Sequence, residues 1–288
     1  MQPIPSHYWL AVLLLTCTSF LSAQEDLLSL LEADTPAEVQ ITPATFKGSR
    51  LINGHTVMTR RQGSLEFLIA HRFGRINSGA YELFGLDNAN VRFGIDYGLT
   101  DQLTMGFGRN SFEKTYDLFA KYALIRQQTN LREIPFSLTL FASAAIKTLR
   151  DTEPELSFSQ RLAYSYQALI ASKVTSALSL QLMPTLIHYN AAPAGQENDL
   201  VALGIGGRIL LTKRLSINAE YYYRLQERDL DPFQDPIAIG IDLETGGHVF
   251  QLQFTNSRSM VEKGFIRETT GRFFDGDIHF GFNITRTF

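Results

Sequence analysis

From about residue 62 onward, apolar and polar residues alternate one by one, and they do so in long runs. Val91, Phe93, Ile95 and Tyr97 alternate with Arg92, Gly94 and Asp96. Leu138, Leu140, Ala142, Ala144 and Ile146 share one face, opposite Ser137, Thr139, Ser143 and Lys147. The stretches 179–186 and 215–221 repeat the scheme. Successive side chains of an extended chain point to opposite faces, so a period of two marks a half-buried strand. Several runs reach about ten residues, the length a tilted strand needs to cross a bilayer.

The breaks between runs come in two sizes. Tight breaks fall at 98–101, 174–177, 212–214 and 245–247, and longer polar ones at 74–88, 150–155, 190–197, 227–235 and 256–276. Strands are expected near 62–73, 89–98, 101–110, 114–125, 134–147, 156–173, 177–189, 198–211, 214–226, 236–244, 246–256 and 275–288. That is an even number, which returns both ends of the wall to the short-turn side. The 126–133 connection is longer than the other turns on that side. The expected fold is all-β: an antiparallel up-and-down transmembrane β-barrel of about twelve strands, with short turns on the periplasmic side and long loops outside.

Composition narrows the alternatives. The 288 residues are 44% hydrophobic and 19% charged, with a formal charge of −3 and no Lys/Arg block. No nucleic-acid partner is expected from such a balance. A mean hydropathy of −0.05 excludes a polytopic helical membrane protein. One apolar run, Trp9 to Leu15, followed by the small residue Ala23, marks residues 1–23 as a signal peptide. Cys17 is the sole cysteine, so removal of that leader leaves no disulfide, thiolate ligand or cysteine nucleophile. Residues 24–61 form a separate N-terminal segment. It begins as an acidic stretch with leucines at helical spacing, is punctuated by Pro36 and Pro43, and ends in a somewhat strand-like 48–58. This segment is expected outside the wall, in the periplasm or tucked into the lumen as a plug. Residues 62–288 are assigned to the barrel.

In a membrane barrel the apolar face meets lipid and the polar face lines the lumen. The lipid face then includes Phe93, Ile95, Leu140, Ile205, Leu252 and Phe282, with tyrosines near the strand ends. The lumen-lining candidates are Glu66, Arg72, Arg92, Asp96, Asp117, Lys121, Lys147, Arg161, Arg208, Glu220, Arg224 and Asp242. Both signs are well represented. A mixed lining suggests paired charges bracing a narrow, partly filled interior, because unpaired buried charge is costly.

Several motifs occur in order: Ala44-Thr45-Phe46-Lys47, Arg50-Leu51-Ile52-Asn53, His71-Arg72-Phe73-Gly74, Phe84-Gly85-Leu86-Asp87, Tyr97-Gly98, Gly108-Arg109 and Lys121-Tyr122. Together they resemble a family of exported Gram-negative outer-membrane β-barrel proteins of unknown function, from about Asp26 to the C-terminus. The resemblance implies a barrel fold and an outer-membrane location. It implies no activity and no catalytic residue.

Nor do the residues assemble a reaction centre. His71 falls on the lipid side near a rim, with Arg72 pointing inward. His55, His188, His248 and His279 lack metal-ligand spacing, so no metal and no cofactor are expected. Ser64, Ser143, Ser157, Ser159, Ser165 and Ser179 lie on polar faces without a nucleophile-elbow context. Asp229, Asp231 and Asp235 read as solvated loop acids, and Gly204, Gly206 and Gly207 as mid-strand close-approach positions. The expected function is a passive channel or small-solute transport, not an enzyme. The alternatives are a structural or interaction barrel with a plugged lumen and, ranked last, an outer-membrane hydrolase. Expected partners are membrane lipid, a small solute and the outer-membrane assembly machinery. For that machinery, Phe280, Phe282, Ile284 and Phe288 would form the recognised closing strand. Arg286 occupies a position where an aromatic would fit better, and must snorkel to the interface.

Overall fold

Each alternating run becomes a strand of one closed sheet. The computed structural model describes residues 40–129, 133–150, 155–192, 195–225 and 232–288. The leader and the acidic stretch expected before residue 40 lie outside the described residues, as do Asp229 and Asp231. The wall consists of β1 (Leu65–Arg75), β2 (Ala89–Gly98), β3 (Leu103–Asn110), β4 (Tyr116–Ile125), β5 (Ser137–Ile146) and β6 (Leu162–Lys173). It continues with β7 (Leu178–Tyr189), β8 (Asp199–Leu210), β9 (Leu215–Arg224), β10 (Ile237–Thr245), β11 (His248–Thr255) and β12 (His279–Thr287). These twelve strands close into a barrel in simple up-and-down order.

Every neighbouring pair is antiparallel, and β12 pairs with β1 to remove the last edge, with Ile284 opposite Ile69 and Arg286 opposite Phe67. Closure matters because an unpaired strand edge in hydrocarbon would leave backbone groups without partners. Along each strand, burial alternates with the residue type. Phe93 and Phe107 are 50% exposed and Ile205 is 53% exposed, whereas Arg92, Thr104 and Gly206 between and beside them are buried. A continuous outward belt of large apolar side chains is stable only against lipid. No helix among the described residues is long and apolar enough to cross a membrane; the crossing is made by strands.

The interior is filled by two inserted segments. The first, residues 45–58, runs into the barrel from the short-turn side, and most of its side chains are buried. The second, residues 256–271, enters from the long-loop side and carries the short helix α1 (Glu262–Arg267), every residue of which is buried. Sequence alternation presents 256–276 as an exposed polar loop; the structure instead sends it inward, because Met260, Val261, Phe265 and Ile266 bury their apolar surface there.

The lumen also differs from the all-polar lining that alternation suggests. Phe119, Phe141, Leu169, Met183, Ile187, Leu200 and Tyr222, on β4 to β9, pack with Phe46, Leu51 and Val57 of the first segment and Phe265 and Ile266 of the second. An apolar core therefore occupies one sector of the barrel. The opposite sector, from β10 round to β4, carries most of the buried charges of the wall; Arg208, Glu220 and Arg224, on β8 and β9, are the exceptions.

Candidate functional site: the occluded lumen

Polar side chains from both sectors of the wall grip the first inserted segment largely by its backbone. Residues 51–54 form a tight turn closed by the Leu51 amide donating to the Gly54 carbonyl at 2.8 Å. Two amides at its tip, Asn53 and Gly54, donate to the Glu220 carboxylate at 2.8 and 3.1 Å. Glycine is required at the tip: a Cβ on Gly54 would stand 2.1 Å from the Tyr222 hydroxyl oxygen. On the far side of the turn, the Asn283 amide donates to the Ile52 carbonyl at 3.0 Å, and Gln251 to the Leu51 carbonyl at 3.0 Å. Arg72 donates to Asn53 Oδ1 at 2.8 Å and to Asn283 Oδ1 at 3.0 Å.

Further along the segment, the Lys121 ammonium donates to the carbonyls of Thr56 and Met58 at 3.1 and 2.6 Å. Gln181 donates to the His55 carbonyl and accepts from the Val57 amide, at 2.8 and 2.9 Å. Thr139 donates to the Val57 carbonyl at 2.8 Å. The Glu66 carboxylate accepts from the Ser49 hydroxyl and from Arg60. Strands all round the barrel thus reach one short segment, which spans the cross-section.

The two inserted segments meet at Glu262. Arg50 Nη1 lies 3.1 Å from its Oε1, and His55 Nε2 lies 3.6 Å from the same atom. His55 is enclosed by the rings of Phe119 and Phe141, each centred 4.4 Å away. On the wall beside them, Arg92 forks onto Asp117 at 2.5 and 3.1 Å, while Asp96 accepts no hydrogen bond among the described residues. A bidentate guanidinium–carboxylate pair is the geometry that best offsets burial of both charges.

The second segment is held at the outer rim by its own side chains. Lys263 lies 3.0 Å from Glu113 and 3.1 Å from Glu268. Lys147 lies 2.5 Å from Glu113, and the Arg267 guanidinium lies over the Tyr189 ring at 4.3 Å. Burial disfavours the Glu113 carboxylate, but Lys263 and Lys147 outweigh it and hold its pKa below the usual value. Burial likewise works against the Lys263 ammonium, and Glu268 and Glu113 outweigh that and hold its pKa above the usual value.

Of the lumen-lining candidates, Glu66, Arg72, Arg92, Asp96, Asp117, Lys121, Arg208, Glu220, Arg224 and Asp242 are buried inside the barrel. Asp242 accepts from Gln251 at 2.9 Å, and the Arg224 guanidinium lies 5.7 Å from the Phe233 ring centre. Lys147 and Arg161 lie elsewhere. β5 ends at Ile146, so Lys147 emerges at the outer rim. β6 starts at Leu162, not at 156, and Arg161 closes a single 3₁₀ turn, bonded to the Leu149 and Leu156 carbonyls. The residues that alternation does not single out are those of the apolar sector. Their signal was the loss of alternation in Ala168-Leu169-Ile170-Ala171 and Leu186-Ile187, where both faces of a strand are apolar. Gly204 and Gly206 are close-approach positions: a Cβ would stand 2.5 Å from the Tyr222 ring and 2.3 Å from Leu51 Cδ2, respectively.

Phe280, Phe282 and Ile284 lie on the lipid side of β12, with Phe280 stacked on Phe73 and Phe282 on His71 at ring separations of 5.7 and 5.0 Å. Phe288 is exposed, and the Arg286 guanidinium lies 4.7 Å from its ring centre.

Twelve strands, a lipid-facing apolar belt and a filled polar–apolar interior define an outer-membrane β-barrel. Residues 46–288 match the family described as "Membrane bound beta barrel domain (DUF5777)", and the chain belongs to that family. No curated protein matches the sequence. Among solved structures, a KdgM porin is similar at 11% identity and a TM-score of 0.46, covering 78% of this chain and 99% of the other. The COG4313 outer membrane channel from Pseudomonas putida F1 is similar at 13% identity and a TM-score of 0.48, covering 86% and 100%. Omp33 of Acinetobacter baumannii gives 10% identity and a TM-score of 0.43, covering 79% and 99%.

Proposed function

We propose that the protein is a passive outer-membrane channel for small solutes, here in its closed state. One observation carries this: a cavity lies at each mouth, with the inserted segments between them. The cavity on the short-turn side has a volume of about 310 Å³ and is lined by residues including Thr42, Thr59, Arg61 and Asp101. The one on the long-loop side has a volume of about 510 Å³. Between them the charged sector offers a route, because water can replace hydrogen bonds to a backbone at little net cost. Planar-bilayer recording tests the proposal. The intact protein should show rare, brief openings, and a chain lacking residues 45–58 should conduct steadily. A silent barrel after that deletion, with native strand content, overturns the channel.

The packed apolar sector favours a second reading, a structural or interaction barrel whose lumen stays plugged. Silence of both proteins in the bilayer would select it. In either case we propose that β12 is the strand recognised by the assembly machinery, through Phe280, Phe282, Ile284 and Phe288. Phe288→Ala should slow membrane insertion of newly made protein in a reconstituted assembly assay; unchanged insertion would remove that role.

A further inference from the structure

The cavity on the long-loop side is more than an opening. It lies over the second inserted segment, beneath the loop that follows β1, and its volume of about 510 Å³ is within the range of small-molecule sites. Its lining includes Arg75, Asn88, Phe112, Arg258, Thr270 and His279. The charges in it are not equivalent. Arg75 is matched by Asp277 at 3.1 Å, and Glu268 by Lys263 at 3.1 Å. Arg258 has no carboxylate partner among the described residues. Its guanidinium is held in place by Asn88 Oδ1 at 2.9 Å and by the Phe112 ring at 5.3 Å, and its Nε is buried without a hydrogen-bond acceptor among the described residues.

A guanidinium fixed by an amide oxygen and an aromatic face keeps its remaining N–H groups free and pre-aimed, which favours planar anions. Glu82, the other uncompensated charge of the lining, is exposed at the rim, where solvent and salt screen it. The roof is also set up for close approach. Gly85 has φ +87, and a Cβ there would stand 2.5 Å from the Gly74 carbonyl carbon. The neighbouring Leu83 and Phe84 hold left-handed backbone at φ 45 and 52. Strain of that kind persists only where the surroundings over-determine the loop, and it concentrates at ligand clamps.

We infer that this vestibule is a binding site for a small carboxylate-bearing solute, whose carboxylate sits on Arg258. As the place where solute is captured before passage it rests on the channel reading; as a site it does not. Isothermal titration in detergent with gluconate and with glucose, which are similar in size and differ in charge, tests it without any conductance. Gluconate should bind saturably, and glucose about tenfold or more weaker. Arg258→Gln should reduce gluconate binding to the glucose level, a loss of at least about tenfold for a charge-assisted bond. Arg258→Lys should retain part of the preference, with circular dichroism confirming native strand content in both. Equal binding of the two probes, absence of gluconate binding, or wild-type affinity in Arg258→Gln overturns the site. Gluconate binding in a barrel that never conducts would uphold the site and remove the channel; conductance without gluconate preference would do the reverse.

Discussion

The two sectors of the lumen fill the same barrel by different physics. On β5 to β8, Phe141, Leu169, Met183 and Ile187 pack on side chains of the inserted segments. From β10 round to β4, Gln251, Asn283, Lys121 and, across the barrel on β9, Glu220 bond to backbone groups of residues 51–58. The apolar contacts have no substitute in water, so they set how firmly the barrel is filled. The polar contacts can be exchanged for water one by one. On the channel reading proposed above, the barrel would open along the charged seam, with the apolar sector as the fixed wall.

That contrast can be broken experimentally. Phe265→Ala leaves a void between the second segment and Tyr222, whose ring lies 5.4 Å away. It should cost ~3–5 kcal/mol of stability, seen as a large fall in thermal midpoint in detergent, with no gain in conductance. Lys121→Met strands the Thr56 and Met58 carbonyls in the interior. It should cost less, about 1–3 kcal/mol, yet raise open probability in the bilayer. Leak from Phe265→Ala and none from Lys121→Met would invert the assignment of wall and seam. Glu220→Gln keeps an acceptor for one amide of the 53–54 turn and loses the charge; it should cost about 1 kcal/mol and lengthen openings slightly.

The smallest effect is that of pH at the rim. The Glu113 carboxylate is held below its usual pKa, so its contribution is complete above the unfolded value and disappears as pH falls through the folded one. Lys263 is held above its usual pKa, so its contribution is complete below the unfolded value and disappears as pH rises through the folded one. Acidification below the ordinary carboxylate range should therefore loosen the second segment, measured as faster hydrogen exchange in 256–271. Glu113→Gln should abolish that acid step. An acid step of unchanged size in Glu113→Gln would assign it to other carboxylates.

Strand number, order and the lipid face were legible from the sequence because each follows from a period of two along the chain. The positions of Phe93, Leu140 and Phe282 needed only that rule. Strand ends were less legible: Lys147 and Arg161 continue the alternation on paper, but the pairing of β5 with β6 stops at Ile146 and Leu162. The inserted segments were least legible. Residues 45–58 make almost no regular structure, and their backbone groups are satisfied by side chains remote in sequence, such as Glu220 and Gln251. Pairings of that kind leave no local pattern. The 256–271 insertion left one, the apolar pairs Met260-Val261 and Phe265-Ile266 inside a polar stretch, which hydrophobic burial explains and loop length does not.

The Arg72–Asn53–Asn283 knot has a consequence for assembly order. Arg72 is on the first strand and Asn283 on the last, and both hold residues 52–53. The seam between β12 and β1 joins residues more than two hundred positions apart, the costliest contact in the chain to form by chance. A short segment that offers partners to both strands acts as a jig for that seam. It favours the register in which Asn283 lies opposite Ala70, and a barrel that closes one pair out of step would lose the knot.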